Sequence, residues 1–160
     1  MLTCFLTSSV STVYRTNTFP FIHTGFFHAF INLLALTPLM ERFEAEHGTL
    51  TSLLLFFGPL STIPALMYTF LERDILRMNT TVLGASVWVF MLLANEGVKT
   101  YRSNPTFSLG TTRIPTWTTP IITVLFVSFL VPSTSFLGHT CGLAVGYGCK
   151  LFLHFDSYYS

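Results

Sequence analysis

Thr81-Val-Leu-Gly-Ala-Ser-Val-Trp-Val-Phe90 decides how this chain is read. A serine follows a glycine by two positions and opens an uncharged run that continues to Asn95. On its own, a serine in an apolar helix most simply bonds a carbonyl of that helix. Two other apolar runs change the reading, because they open in the same way. Residues 19–40 carry His23, His28 and Asn32 in their first half, and residues 136–153 carry Gly138-His139 near their start.

Composition says where such runs belong. Of the 160 residues, 51% are hydrophobic and 9% charged, against about a quarter charged in a soluble domain. That is too little charge to cover a water-facing surface. Roughly 20 apolar residues cross a bilayer as helix, and continuous apolar runs favour helices over the alternating strands of a barrel. The expected fold is all-α, a polytopic membrane helix bundle forming a single domain over residues 1–160. Spans are expected at 19–40, 49–71, 80–95, 117–131 and 136–153. Residues 1–13 are too short to span and lack the basic start of a signal peptide.

Local signals refine these bounds. Pro20 suits a first helical turn, and Thr37-Pro38 suggests fraying at the far end of the first span. Gly58-Pro59 and Pro64 interrupt the second, Thr80 or Thr81 is expected to cap the third, and residues 132–135 separate the last two. The polar stretch 96–113 reads as a loop. A net charge of +1 gives no electrostatic case for nucleic acid. Cys4, Cys141 and Cys149 form no zinc or disulfide framework. His23, His28 and His139 are accompanied by no carboxylate or thiol spacing, so neither metal nor cofactor is expected.

Five crossings put Arg15, Arg73 and Arg77 on one side, and Arg42, Lys99, Arg102, Arg113 and Lys150 on the other. The larger group assigns its side to the cytoplasm. The first, third and fifth spans then all begin on the lumenal side. Asn79-Thr-Thr81 matches a glycosylation sequon there, although capping is the simpler use of its hydroxyls.

The polar residues of these three openings fall at one depth. His28 and Asn32 are four apart on one helix face. His139, Gly142 and Gly146 share a stripe whose glycines admit a close neighbour. Serine becomes a nucleophile when a base within hydrogen-bond reach takes its proton, and His139 is the candidate base for Ser86. His28, Asn32 and the Ser86 N–H are candidate donors to the developing oxyanion. No acidic residue is placed to orient the histidine, so the pair is read as a dyad. Taken singly, each polar residue is equally well a clamp between helices; it is the joint placement that points to chemistry.

These residues resemble the rhomboid family of intramembrane serine proteases. His23-Thr-Gly-Phe-Phe-His28-Ala-Phe-Ile-Asn32 is similar to the family's His-x4-His-x3-Asn helix. Gly84-Ala-Ser86 is similar to its Gly-x-Ser, and His139-Thr-Cys-Gly142-Leu-Ala-Val-Gly146 to its His-xx-Gly-xxx-Gly. Tyr14-Arg15 looks like the Trp-Arg pair of the loop before the first of these helices. Glu44-x-x-x-Gly48 looks like the turn after it. The wording is most like the fungal Golgi rhomboids.

The resemblance implies Ser86 and His139 as catalytic residues and His28 and Asn32 as oxyanion or substrate donors. Gly84, Gly142, Gly146, Arg15 and Glu44 are implied as structural support. It implies transmembrane protein substrates in the lipid bilayer, a Golgi or other endomembrane location, and cytosolic partners through a tail this chain does not contain. Two departures are visible. Val87 stands where the family usually has glycine, and the thirteen residues before Tyr14 are too few for the first of six core helices. Five of the six are therefore expected. The rival expectation is a catalytically inactive rhomboid-like fragment or pseudoprotease that binds membrane clients. Retention of both serine and histidine favours the enzyme. A transporter would want paired charges at mid-membrane, and none are present.

Overall fold

The computed structural model describes residues 14–78, 80, 82–131 and 134–153, with residues 150–153 described by backbone alone. Expectations for residues 1–13 (Cys4 among them), Asn79, Thr81, Pro132-Ser133, the Lys150 side chain and His154 lie outside the described residues.

The first apolar run is two helical pieces. A short helix α1 (Arg15–Thr18) and a 3-10 turn (Phe19–Phe21) precede helix α2 (Phe26–His47), and the two pieces meet at 98°. Pro20 lies in the 3-10 turn, where its missing N–H costs nothing. Pro38 does not fray α2, which continues for nine more residues to His47. The reason is composition: Met40-Glu-Arg-Phe-Glu-Ala-Glu46 ends the apolar run but consists mainly of strong helix formers. Gly48, at φ +81, closes the helix by donating its N–H to the Glu44 carbonyl at 2.7 Å. The Glu44 carboxylate accepts from the Thr49 hydroxyl at 2.5 Å, so Glu44 holds both sides of this turn.

Helices α3 (Thr49–Phe56) and α4 (Pro59–Phe70) follow, with a π turn at Leu71–Ile75. By length and apolarity, Thr49–Ile75 suffices to cross a membrane. Hydroxyls make its Gly58-Pro59 break tolerable: Ser61 donates to the Phe56 carbonyl at 2.5 Å and Thr62 to the Gly58 carbonyl at 2.9 Å. The Ser61 bond satisfies a carbonyl at the helix break, and the Thr62 bond adds to the backbone bonds that Gly58 already accepts.

Helix α5 spans Ser86–Ser103, starting six residues later than the expected third span and ending eight residues later. Thr80 is not its cap. Ala85 takes the position before the helix, and Thr80 bonds Glu72 instead. The expected loop after α5 contains an antiparallel hairpin, β1 (Thr106–Leu109) and β2 (Thr112–Pro115), pairing Phe107 with Ile114. Its two-residue connection carries Gly110 at φ +62, the conformation such tight turns demand. Helix α6 (Thr119–Leu130) and helix α7 (Phe136–Leu153) complete the described elements.

Helix α5 is the central post. Every residue from Ser86 to Leu92 is buried, and each apolar cluster is built on it. Trp88, Met91 and Leu92 pack with Phe43, Phe56, Leu60 and Val145. Val87 packs with Phe19, Ala65, Tyr68 and Cys141. Phe90 and Ala94 pack with Val124 and Leu143. The outer surface is apolar as well, with Phe26, Phe27 and Phe129 more than three-quarters exposed. Lipid is the solvent that such a surface suits.

Charge gathers at the end of α5 away from Ser86. Lys99 bonds Glu46 and Glu96, and Arg42 lies 3.6 Å from Glu96. Burial alone would lower the Lys99 pKa. The hydrogen bonds and charges of Glu46 and Glu96 outweigh it and hold the ammonium above its ordinary value.

Candidate active site

Glycines decide the approach of α7 to α5. A Cβ on Gly142 would meet the Val87 carbonyl, and one on Gly146 would meet the Met91 carbonyl, in both cases well inside contact distance. Both neighbours are backbone and cannot swing away. Close seating of this kind is what small residues at i and i+4 permit. It brings His139, one turn before Gly142, level with the turn that begins at Ser86. The His139 ring stacks obliquely on Phe90, with centroids 4.5 Å apart, and is 2% exposed.

Ser86 is the first residue of α5 and is 9% exposed. The helix begins there because Gly84, at φ +99, breaks the chain direction two residues earlier. The first N–H groups of a helix have no intrahelical partner. Those of Ser86 and Val87 therefore point out of the helix end, at the positive pole of its dipole. Val87, where the family usually has glycine, is buried to 2% and packs with Phe19, Tyr68 and Cys141. The branched side chain is accommodated without displacing the serine from the helix start.

Helix α2 supplies the third wall. A Cβ on Gly84 would lie 2.8 Å from His28 Cε1 and 3.1 Å from His28 Nε2, so the imidazole edge rests on the loop beside Ser86. His28 Nδ1 faces the Thr24 hydroxyl at 3.2 Å. With that hydroxyl donating to Nδ1, Nε2 carries the proton. Asn32 is buried and donates one amide hydrogen to the His28 carbonyl at 2.9 Å, leaving a second hydrogen on the same nitrogen. Gly84→Ala combines a left-handed backbone with this contact. It is expected to cost about 2 kcal/mol, measurable as a lowered unfolding midpoint in detergent.

His23 has more to do than a solvated interfacial histidine. Its Nδ1 lies 3.3 Å from the Phe21 carbonyl, and its Nε2 accepts the Ala85 N–H at 3.4 Å. The ring ties the bend before α2 to the residue preceding Ser86. Gly84 is tied likewise, donating its N–H to the Phe19 carbonyl at 3.2 Å. The position of His23, five residues before His28 in His23-x4-His28-x3-Asn32, was the signal available in the sequence. Arg15 is further off: its Nε reaches the Tyr14 hydroxyl at 3.2 Å and its guanidinium lies over the Tyr14 ring.

The serine and the two histidines are thus brought to one end of the bundle. The hydrogen bonds of the described residues include none between the Ser86 hydroxyl and the His139 ring; catalytic hydrogen bonds are often long before substrate arrives. His139 Nδ1 is buried with no partner among the described residues.

The family model described as Rhomboid domain matches residues 10–155. Rhomboid-type serine protease B of Aspergillus fumigatus is 64% identical over 138 residues, covering 86% of this chain and 51% of that protein. Rhomboid-type serine protease 2 of Gibberella zeae is 63% identical over 139 residues, covering 87% and 52%. Rhomboid-type serine protease 2 of Saccharomyces cerevisiae is 33% identical over 135 residues, covering 83% and 51%. No solved structure matches. The chain spans about half the length of the curated relatives it matches. With a family model covering nearly its whole length, the chain belongs to the rhomboid family of polytopic, helical integral membrane proteins.

Proposed function

We propose that this chain is an intramembrane serine endopeptidase that cleaves transmembrane segments of membrane-anchored proteins. The observation that supports this best is the seating of Gly142 and Gly146 on the Val87 and Met91 carbonyls. It holds the one buried histidine of α7 at the height of the helix turn opened by Ser86. Its relatives are named as rhomboid-type serine proteases, which points the same way.

His139 takes the proton of the Ser86 hydroxyl as its oxygen attacks the scissile carbonyl. The tetrahedral oxyanion is met by the Ser86 and Val87 N–H groups, by His28 Nε2–H and by the free amide hydrogen of Asn32. The imidazolium returns its proton to the leaving amine, and water then hydrolyses the acyl-enzyme. A peptide in an intact helix hides its carbonyl in an i to i+4 bond, so segments with small or helix-weakening residues are the expected substrates. By the resemblance of its motifs, the protein works in the Golgi or another endomembrane.

A single-span reporter coexpressed with the chain tests this reading. Sequencing the product termini should locate the cut in the lumenal third of the span. A reporter that is bound but never cut would favour the client-binding alternative.

A further inference from the structure

Glu72 is the acidic side chain that the mechanism leaves unused, and it is fully buried. It sits in the π turn Leu71–Ile75 at the end of α4. Its Oε1 accepts from both the Thr80 N–H and the Thr80 hydroxyl, the latter at 2.9 Å. Its Oε2 is buried with no hydrogen-bond partner among the described residues. Its carbonyl accepts the Met78 N–H at 2.9 Å. One residue therefore closes the loop that leaves α4 twice, through backbone and through side chain. A carboxyl group is costly to bury for a turn alone, and backbone bonding would have closed the turn without it.

Its bonds lead in two directions. From Thr80 the chain runs to Val82, 2% exposed, whose Cγ2 lies 2.5 Å from where a Cβ on Gly138 would be, and then to Gly84 and Ser86. The Thr80 hydroxyl also meets the Tyr68 hydroxyl at 2.9 Å. Tyr68 packs with Val82 and with Cys141 of α7, and Leu137 at the start of α7 lies against the same cluster. Ser135 caps α7: its hydroxyl accepts the Gly138 N–H at 3.1 Å, and its carbonyl accepts the His139 N–H at 3.1 Å. Thr80 thus anchors both the loop that delivers Ser86 and a tyrosine packed against the helix that carries His139.

We propose that Glu72 is a positioning residue, an acceptor whose Oε1 fixes the Thr80 anchor and, through Thr80 and Tyr68, the spacing between the Ser86 loop and the start of α7. This rests on Ser86 and His139 being the reacting pair. The role belongs to acceptor geometry rather than to charge. Glu72→Gln keeps Oε1 and should preserve it, whereas Glu72→Ala should not. Displacing a reacting group by about 1 Å costs on the order of 100-fold in rate, so the expected loss lies between about tenfold and 100-fold.

The test is the rate of fluorophosphonate labelling of the full chain in membranes, normalised to folded protein, for parent, Glu72→Ala, Glu72→Gln and Thr80→Val. Thr80 is exposed, so Thr80→Val keeps the test open where Glu72→Ala fails to fold. The expected result is near-parent labelling for Glu72→Gln, with the loss shared by Glu72→Ala and Thr80→Val. Labelling at parent rate in Glu72→Ala or Thr80→Val, or an equal loss in Glu72→Gln, overturns the positioning role. Ser86→Ala separates the two readings. Labelling that survives Ser86→Ala refutes the nucleophile assignment and this role with it. Ser86-dependent labelling indifferent to Glu72 and Thr80 refutes the role alone.

Discussion

Ser86→Ala is expected to remove cleavage and probe labelling altogether, and His139→Ala to lower both by a factor on the order of 10⁴ or more. The difference in form matters. Without the hydroxyl there is no atom to acylate, so the alanine variant should show background only. Without the imidazole the serine remains, lodged at a helix N-terminus with the proposed oxyanion donors around it. A slow residual reaction, rising as the medium becomes more alkaline, is then expected. Because the two residues act as a unit, the double variant should be no worse than Ser86→Ala. Neither change creates a clash, and Ser86 is the smaller loss. Membrane insertion and the unfolding midpoint of Ser86→Ala should stay close to those of the parent, which a thermal melt in detergent checks.

Gly142→Ala is expected to have the second largest effect, although it touches no reacting atom. The new methyl group would overlap the Val87 carbonyl, and a helix backbone cannot yield as a side chain can. Helix α7 must move away from α5, losing contacts along the seam that includes Leu143 and Val145. Overpacking of a tight core costs about 1–3 kcal/mol. The same movement carries His139 from Ser86, and a shift of about 1 Å is enough for a loss near 100-fold. The signature is a joint fall in melting temperature and labelling rate. Gly148→Ala on the same helix is the control, since a Cβ there meets nothing within 4 Å. It should leave both unchanged.

What the sequence made legible follows from the kind of signal each feature leaves. Helix α7 starts at Phe136, where the apolar run after Ser135 starts. The Gly142–Gly146 stripe was readable because a spacing of four on a helix has one geometric meaning. Helix α5 was misjudged at both ends for the converse reason. Val82 and Leu83 are apolar but lie outside the helix, in a loop that Gly84 turns. Beyond Asn95 the residues are polar but helical. Hydropathy reports solvent, and helices do not stop where the solvent changes.

The features that escaped are contacts between distant residues. Glu72 sits in Glu-Arg-Asp, which reads as charge at a membrane surface; only the fold shows it turned inward beneath Thr80. His23 reads as interfacial until Ala85, 62 positions away, is placed against it. The hairpin Thr106–Pro115 was masked by its polarity, although Leu-Gly-Thr-Thr between β-prone residues carried its turn.

The most direct measurement is to find which residue carries the adduct. The full chain in membranes is treated with a fluorophosphonate, digested, and its peptides are mapped by mass. The account predicts a single modified site, Ser86, lost in His139→Ala under the same exposure. An adduct on another hydroxyl, or on Ser86 at an undiminished rate without His139, would contradict it.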